Sequence, residues 1–136
     1  MYPEDLIAPM RNELAAAGFI ETKTPEAVVE NIEKEGTTLV VVNSVCGCAA
    51  GSARPGARMA VAGSKKPSRM ITVFAGNDVA AVNKARELMM PFPPSSPAMA
   101  LFKDGELVHM LERHHIEGRT ADMIAENLKQ AFEEHC

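Results

Sequence analysis

The chain has 136 residues, 46% hydrophobic and 24% charged, which fits one folded unit with its own core and excludes a disordered chain. Fourteen Lys and Arg against 18 Asp and Glu give a net charge of −4. With no Trp, one Tyr and five Phe, the chain has neither a general basic surface nor an aromatic shelf for bases or sugars.

Asp5 to Ala17 carries apolar residues at helical spacing (Leu6, Ile7, Met10, Leu14), with Gly18 to end it and Pro9 to kink it or delay its start. Thr24-Pro25-Glu26 opens a second helix, the hydroxyl as cap and the proline at the first helical position. That helix buries Val28, Val29 and Ile32 and stops at Gly36. Thr37–Asn43 is rich in β-branched residues and hardly alternates, so it is expected to be a strand buried on both faces. Ala49–Ala62 reads as mostly helical, bent or interrupted by Gly51, Pro55 and Gly56.

After a turn over Gly63–Ser68, Met70–Phe74 is a second interior strand and Asp78–Met90 a helix offering Val79, Val82, Ala85, Leu88 and Met89 for burial. Four prolines between Pro91 and Pro97 exclude regular structure there. Ala98–Phe102 and Leu107–Leu111 form a hairpin about Asp104-Gly105, and Thr120–Phe132 is the last helix, its apolar face Met123, Ile124, Leu128 and Phe132. The first two strands need a right-handed crossover and pair in parallel; the last two pair antiparallel. The expected fold is an α/β three-layer sandwich within a single domain, 1–136. A helical extension (1–36) precedes a core (37–136) built on a four-stranded mixed sheet. No run of 18 apolar residues and no basic, apolar leader is present, so a cytoplasmic protein without membrane or nucleic-acid partners is expected.

Three cysteines, at 46, 48 and 136, are too few for a disulfide scaffold. Cys46-Gly47-Cys48 lies where the most buried strand hands over to a helix, the end of an open α/β sheet at which binding and catalytic groups collect. Unpaired N–H groups of a helix start favour a thiolate, the species that attacks disulfides. Cys46, ahead of the helix, is the better nucleophile, and Gly47 admits unusual backbone angles and close approach by a partner. Residues i and i+2 do not face each other on a regular helix, so a Cys46–Cys48 disulfide would close a small strained ring, suited to exchange rather than to storage. Two other readings stand beside this one. Both thiols could be small buried hydrophobes, or Cys46, Cys48, Cys136 and a histidine could form a zinc or iron–sulfur set, though ligands one residue apart strain a tetrahedral site.

The strand order, and Pro97-Ala98-Met99-Ala100-Leu101-Phe102-Lys103-Asp104-Gly105-Glu106, resemble a thioredoxin-like fold around its cis-proline, although thioredoxins carry Cys-x-x-Cys and here Val45 precedes a Cys-Gly-Cys. Asn43–Gly51, Ser95-Ser96-Pro97, Arg113-His114 with Ile116-Glu117-Gly118, and terminal His135-Cys136 together resemble the bacilliredoxin family, from about residue 4 to the end. The resemblance implies a thiol–disulfide oxidoreductase that removes bacillithiol, a cysteine–glucosamine–malate thiol, from client proteins carrying it as a mixed disulfide. Cys46 would be the nucleophile and Cys48 the resolving residue, with bacillithiol as co-substrate and no metal or tightly bound cofactor. It also implies that Pro97 is cis against the pair and that the backbone of Ser96 meets an incoming peptide. A disulfide isomerase, or a non-catalytic client-binding module on the same scaffold, is the alternative.

Other residues are assigned on placement. Arg54 and Arg58 share a helix face near the cysteines, where a cation would help the thiolate or attract the carboxylates of the small thiol; as surface arginines they would only be solvated. Met99, beside Pro97, is expected in the core with a part in lining the substrate groove. Glu112, Arg113 and Glu117 read as surface pairing, and His114 and His115 as an exposed rim. Cys136 follows a helix C-terminus, where the dipole disfavours its thiolate.

Overall fold

The computed structural model describes residues Met1–Cys136. Helix α1 (Glu4–Ala15) runs unbroken through Pro9 and ends at Gly18, whose φ of +101° only glycine adopts readily. The chain then forms β1 (Ile20–Glu21), α2 (Pro25–Glu33) and β2 (Thr37–Asn43). The cap of α2 is as expected: the Ala27 N–H donates to Thr24 Oγ1 at 3.2 Å, with Pro25 at the first turn. Past the cysteines, a π-helical turn (Ala49–Ala53) runs directly into α3 (Arg54–Val61), followed by β3 (Arg69–Phe74) and α4 (Val79–Leu88). Strands β4 (Ala98–Lys103) and β5 (Glu106–Leu111), a short α5 (Arg113–Ile116) and α6 (Ala121–His135) complete the chain. No helix is long and apolar enough to cross a membrane.

The sheet order is β1-β3-β2-β4-β5, with β1, β3 and β2 parallel and β4 and β5 antiparallel to their neighbours. The expected four-stranded mixed sheet is present, but β1 adds a fifth strand, so the first 36 residues are not purely helical. Its two residues pair with Ile71 and Thr72 and are too short to show any periodicity. Gly56 corrects another expectation, since it lies inside α3 rather than breaking it. A Cβ there would stand 2.7 Å from Ile124, and its absence lets α3 and α6 approach.

All seven residues of β2 are buried, because both faces are covered. Leu39 and Val41 point into a core shared with α3 and α6, including Ala57, Ala60, Ile124, Leu128 and Phe132. Val40 and Val42 point the other way, among Val28, Ile32, Ile71, Val82 and Phe102. This two-sided burial is why the strand reads as a continuous apolar run. Val79 and Met123, expected on buried faces, are instead 55% and 52% exposed.

Candidate active site

Where β2 leaves the sheet, Asn43 and Ser44 set the loop that carries the cysteines. Asn43 Oδ1 accepts from the Ser44 N–H at 2.8 Å, and its Nδ2 donates to the Met10 carbonyl at 3.1 Å. Ser44 Oγ accepts from the Cys46 N–H at 3.1 Å. Arg54 lies beneath this loop. Its Nη1 donates to Asn43 Oδ1 at 3.0 Å and to the Ser44 carbonyl at 2.7 Å, and its Nε to Glu13 at 3.2 Å. Its side chain is 4% exposed. Arg54 is therefore neither a solvated surface group nor free to bind substrate: it is the floor of the loop. Arg58 does stay at the surface, paired with the other oxygen of Glu13.

Cys46 precedes the helix and Cys48 lies in its first turn, with the Ala49 and Ala50 N–H groups bonded to the Cys46 carbonyl. Both thiols are free and half-buried, their sulfurs 2.9 Å apart in hydrogen-bonding contact. Burial pushes the Cys46 thiol up. Hydrogen bonds from Cys48, Ser44 and the Ala49 N–H, with the charge of Arg113, outweigh it and hold Cys46 below the ordinary thiol range. Burial pushes Cys48 up, as do its hydrogen bond to Cys46 and the neighbouring charge, and Arg113 only partly opposes them. The pair is thus split into one sulfur readied as a thiolate and one kept as a thiol. Gly47 between them is exposed, has no left-handed φ, and has nothing within 4 Å of a would-be Cβ. The unusual angles expected of it are absent; open space at the residue between the thiols is present.

The Ser96–Pro97 peptide is cis, and so is Met90–Pro91. Val42 pairs with Ala98, so the turn at Pro97 sits at the same sheet end as the cysteine loop. Met99, however, is buried among Val41 and the helices of one core and lines no groove, because alternation on β4 turns it inward. The Ser96 carbonyl accepts from Arg113 Nη1 at 3.0 Å, so an incoming peptide would share it with that guanidinium. Arg113 is the residue that sequence reasoning missed. It pairs with Glu117, as a surface pair would, but its N–H also donates to Ser95 Oγ and its charge reaches both thiols. The hairpin register held the signal: counting outward from Asp104-Gly105 brings Arg113 opposite Ser96, and the one-residue shift at Leu101/Phe102, after which Met99 pairs with Leu111, brings it opposite Pro97.

Cys136 lies at the other end of β2, its Sγ donating to Thr37 Oγ1 at 3.4 Å. A seven-residue strand, about 20 Å long, separates it from Cys46, so the three cysteines form no metal set. Glu112, His114 and His115 are the one cluster with ligand atoms within 4.8 Å of one another. There His115 Nδ1 accepts from the Glu112 N–H, while the Glu112 carboxylate accepts from the His115 N–H, a reciprocal cap that starts α5.

Residues 2–136 match the family model described as disulphide isomerase. The bacilliredoxin of Cytophaga hutchinsonii is 63% identical over 134 residues, spanning 98% of this chain and 99% of that protein. A Bacillus cereus bacilliredoxin is 56% identical over 137 residues, spanning 99% and 95%. Among solved structures, oxidised mitochondrial thioredoxin 3 from Saccharomyces cerevisiae superposes with a TM-score of 0.59 at 13% identity, covering 85% of this chain and 94% of its own. A likeness so remote in sequence establishes the thioredoxin fold.

Proposed function

The chain belongs to the bacilliredoxin family, and from that premise we propose that Cys46 and Cys48 remove bacillithiol from protein mixed disulfides. The protein is a thiol–disulfide oxidoreductase. The Cys46 thiolate attacks the bacillithiol sulfur, the client sulfur leaves and takes up a proton, and Cys46 holds the small thiol as a mixed disulfide. Cys48 then attacks the Cys46 sulfur and releases bacillithiol, leaving a Cys46–Cys48 disulfide; a second bacillithiol could discharge Cys46 instead. Gly47, Ser96 and Pro97 border the place where the client disulfide enters. A reducing cytoplasm suits this chemistry.

The observation that carries this reading is the split pair: two sulfurs in contact at a helix start, one favoured as thiolate and one as thiol. Exchange needs that division, because the better-ionised thiol attacks and the other waits. A bacillithiol-modified client incubated with the Cys48→Ser protein should leave one bacillithiol mass on Cys46, localised by mass spectrometry. Normal client turnover by Cys46→Ser would overturn the reading. The family description favours a second use of the same pair, shuffling a client's own disulfides. That reading expects Cys46-dependent refolding of a scrambled substrate without bacillithiol.

A further inference from the structure

Among the arginines around the cysteine loop, Arg113 alone bonds the residue before Pro97 and brings its charge to the thiols. Arg54 is buried and committed to Asn43, Ser44 and Glu13, and Arg58, at the surface with donors to spare, is held by its Nε to Glu13. Arg113 is 44% exposed, donates from Nε to Glu117 and from Nη1 to the Ser96 carbonyl, and makes no hydrogen bond from Nη2. Its backbone is held as well, through the Ser95 hydroxyl and the reciprocal Glu112–His115 cap. The guanidinium is therefore fixed in place with one edge open, beside the thiols.

The same contact changes what the site can read. A peptide that docks by strand addition is recognised through backbone N–H and C=O groups. Here the carbonyl before Pro97 accepts from Arg113 and keeps one lone pair for a partner. A client backbone therefore meets this edge of the site with the cation for an anionic partner standing beside it.

We infer that Arg113 determines specificity by binding a carboxylate of bacillithiol's malyl group through its open guanidinium edge, so that the small thiol itself is recognised. This rests on the bacillithiol reading above. Guanidinium–carboxylate pairing is directional and charge-assisted, so it would orient the small thiol as well as hold it. With the malyl end anchored, the cysteinyl sulfur of bacillithiol faces Cys46. The thiolate bonds to that sulfur, the bond to the client breaks, and the client sulfur leaves with the electron pair and is protonated by water.

The test compares one client protein carrying either bacillithiol or cysteamine, which has no carboxylate, in the same disulfide. In Arg113→Gln, the ratio of kcat/KM for the two clients should fall about tenfold or more, the size expected for losing a charged hydrogen bond. Any effect on Cys46 ionisation cancels in that ratio. Arg113→Lys keeps the charge without the planar fork, and a partial fall is expected. An unchanged ratio in both variants overturns the inference, as does a selective loss on the cysteamine client. If Arg113→Gln does not fold, the lysine variant decides alone. Failure of the wild-type protein on the bacillithiol client would instead sink the substrate reading, and this inference with it.

Discussion

The floor and the rim of the cysteine loop each contain an arginine, and they do different work. Arg54, in the floor, has a buried guanidinium whose Nε and Nη1 are taken up by Glu13, Asn43 and the Ser44 carbonyl. Arg113, in the rim, has a half-open guanidinium whose charge reaches both sulfurs. A cation close to a thiol in sequence can be purely structural, while one more than 60 residues away tunes the chemistry. Burial and spare donors decide which is which, not proximity along the chain.

The largest effect should come from breaking the floor. Removing Arg54 takes the buried donor from the Ser44 carbonyl and Asn43 Oδ1, a loss of about 1–3 kcal/mol for a buried acceptor left unpaired, while Arg58 still holds Glu13. Arg54→Ala should lower stability by that order in urea titration, whereas Arg113→Ala should cost less than about 1 kcal/mol, as exposed pairs do. Equal losses would erase the distinction between the two regions.

A smaller effect should appear at the rim and the pair itself. Cys46 ionises more readily in the folded state than in the unfolded one, so its alkylation should remain fast at pH values below the ordinary thiol range. The hydrogen bond from Cys48 favours the thiolate most, then that from Ser44, with Arg113 the weakest of the named contributors. The pH midpoint of iodoacetamide reaction should therefore rise most in Cys48→Ala, less in Ser44→Ala and least in Arg113→Gln. Stability itself is a poor probe of this. A depressed Cys46 pKa contributes stability above the unfolded value that is lost as pH falls through the folded value. The raised Cys48 pKa acts in the opposite direction and in a higher window, making the fold less stable as pH rises above the unfolded thiol value, so stability does not follow Cys46 alone. A larger rise in Arg113→Gln than in Cys48→Ala would show that the rim, not the partner thiol, governs the nucleophile.

Sequence alone reached the strands, the helices and the cysteine junction because each is written in local pattern: the apolar run of β2, Thr24-Pro25, Asp104-Gly105, and Cys46-Gly47-Cys48 at a strand end. What it misplaced depended on what arrives from elsewhere. Arg54 and Arg58 do share a helix, but only α1, bringing Glu13, buries one and leaves the other at the surface. Met99 neighbours Pro97 in sequence, yet alternation on a strand covered on both faces turns it into the core. Arg113 stood in one motif of the family resemblance, but beyond its spacing to Glu117 nothing local gave it a role; its place at the site comes from hairpin register, a relation between residues 17 apart. The strand at Ile20–Glu21 was invisible because two residues have no period.

The smallest effect is expected at Gly47. Nothing stands within 4 Å of a Cβ at this position and its backbone is not left-handed, so Gly47→Ala meets neither clash nor strain. Loss of unfolded-state freedom should leave stability unchanged or raised by about 0.5 kcal/mol. The methyl group would nonetheless stand on the exposed surface between the two cysteines, which a protein disulfide must approach more closely than a small reagent does. Client turnover should fall by about two- to fivefold, an effect of roughly 1 kcal/mol or less on the barrier, while iodoacetamide reacts with Cys46 at the wild-type rate. Equal slowing of both reactions would mean that Gly47 serves the loop's conformation. Slowing of the client alone identifies the exposed surface at Gly47 as part of the approach taken by the protein disulfide.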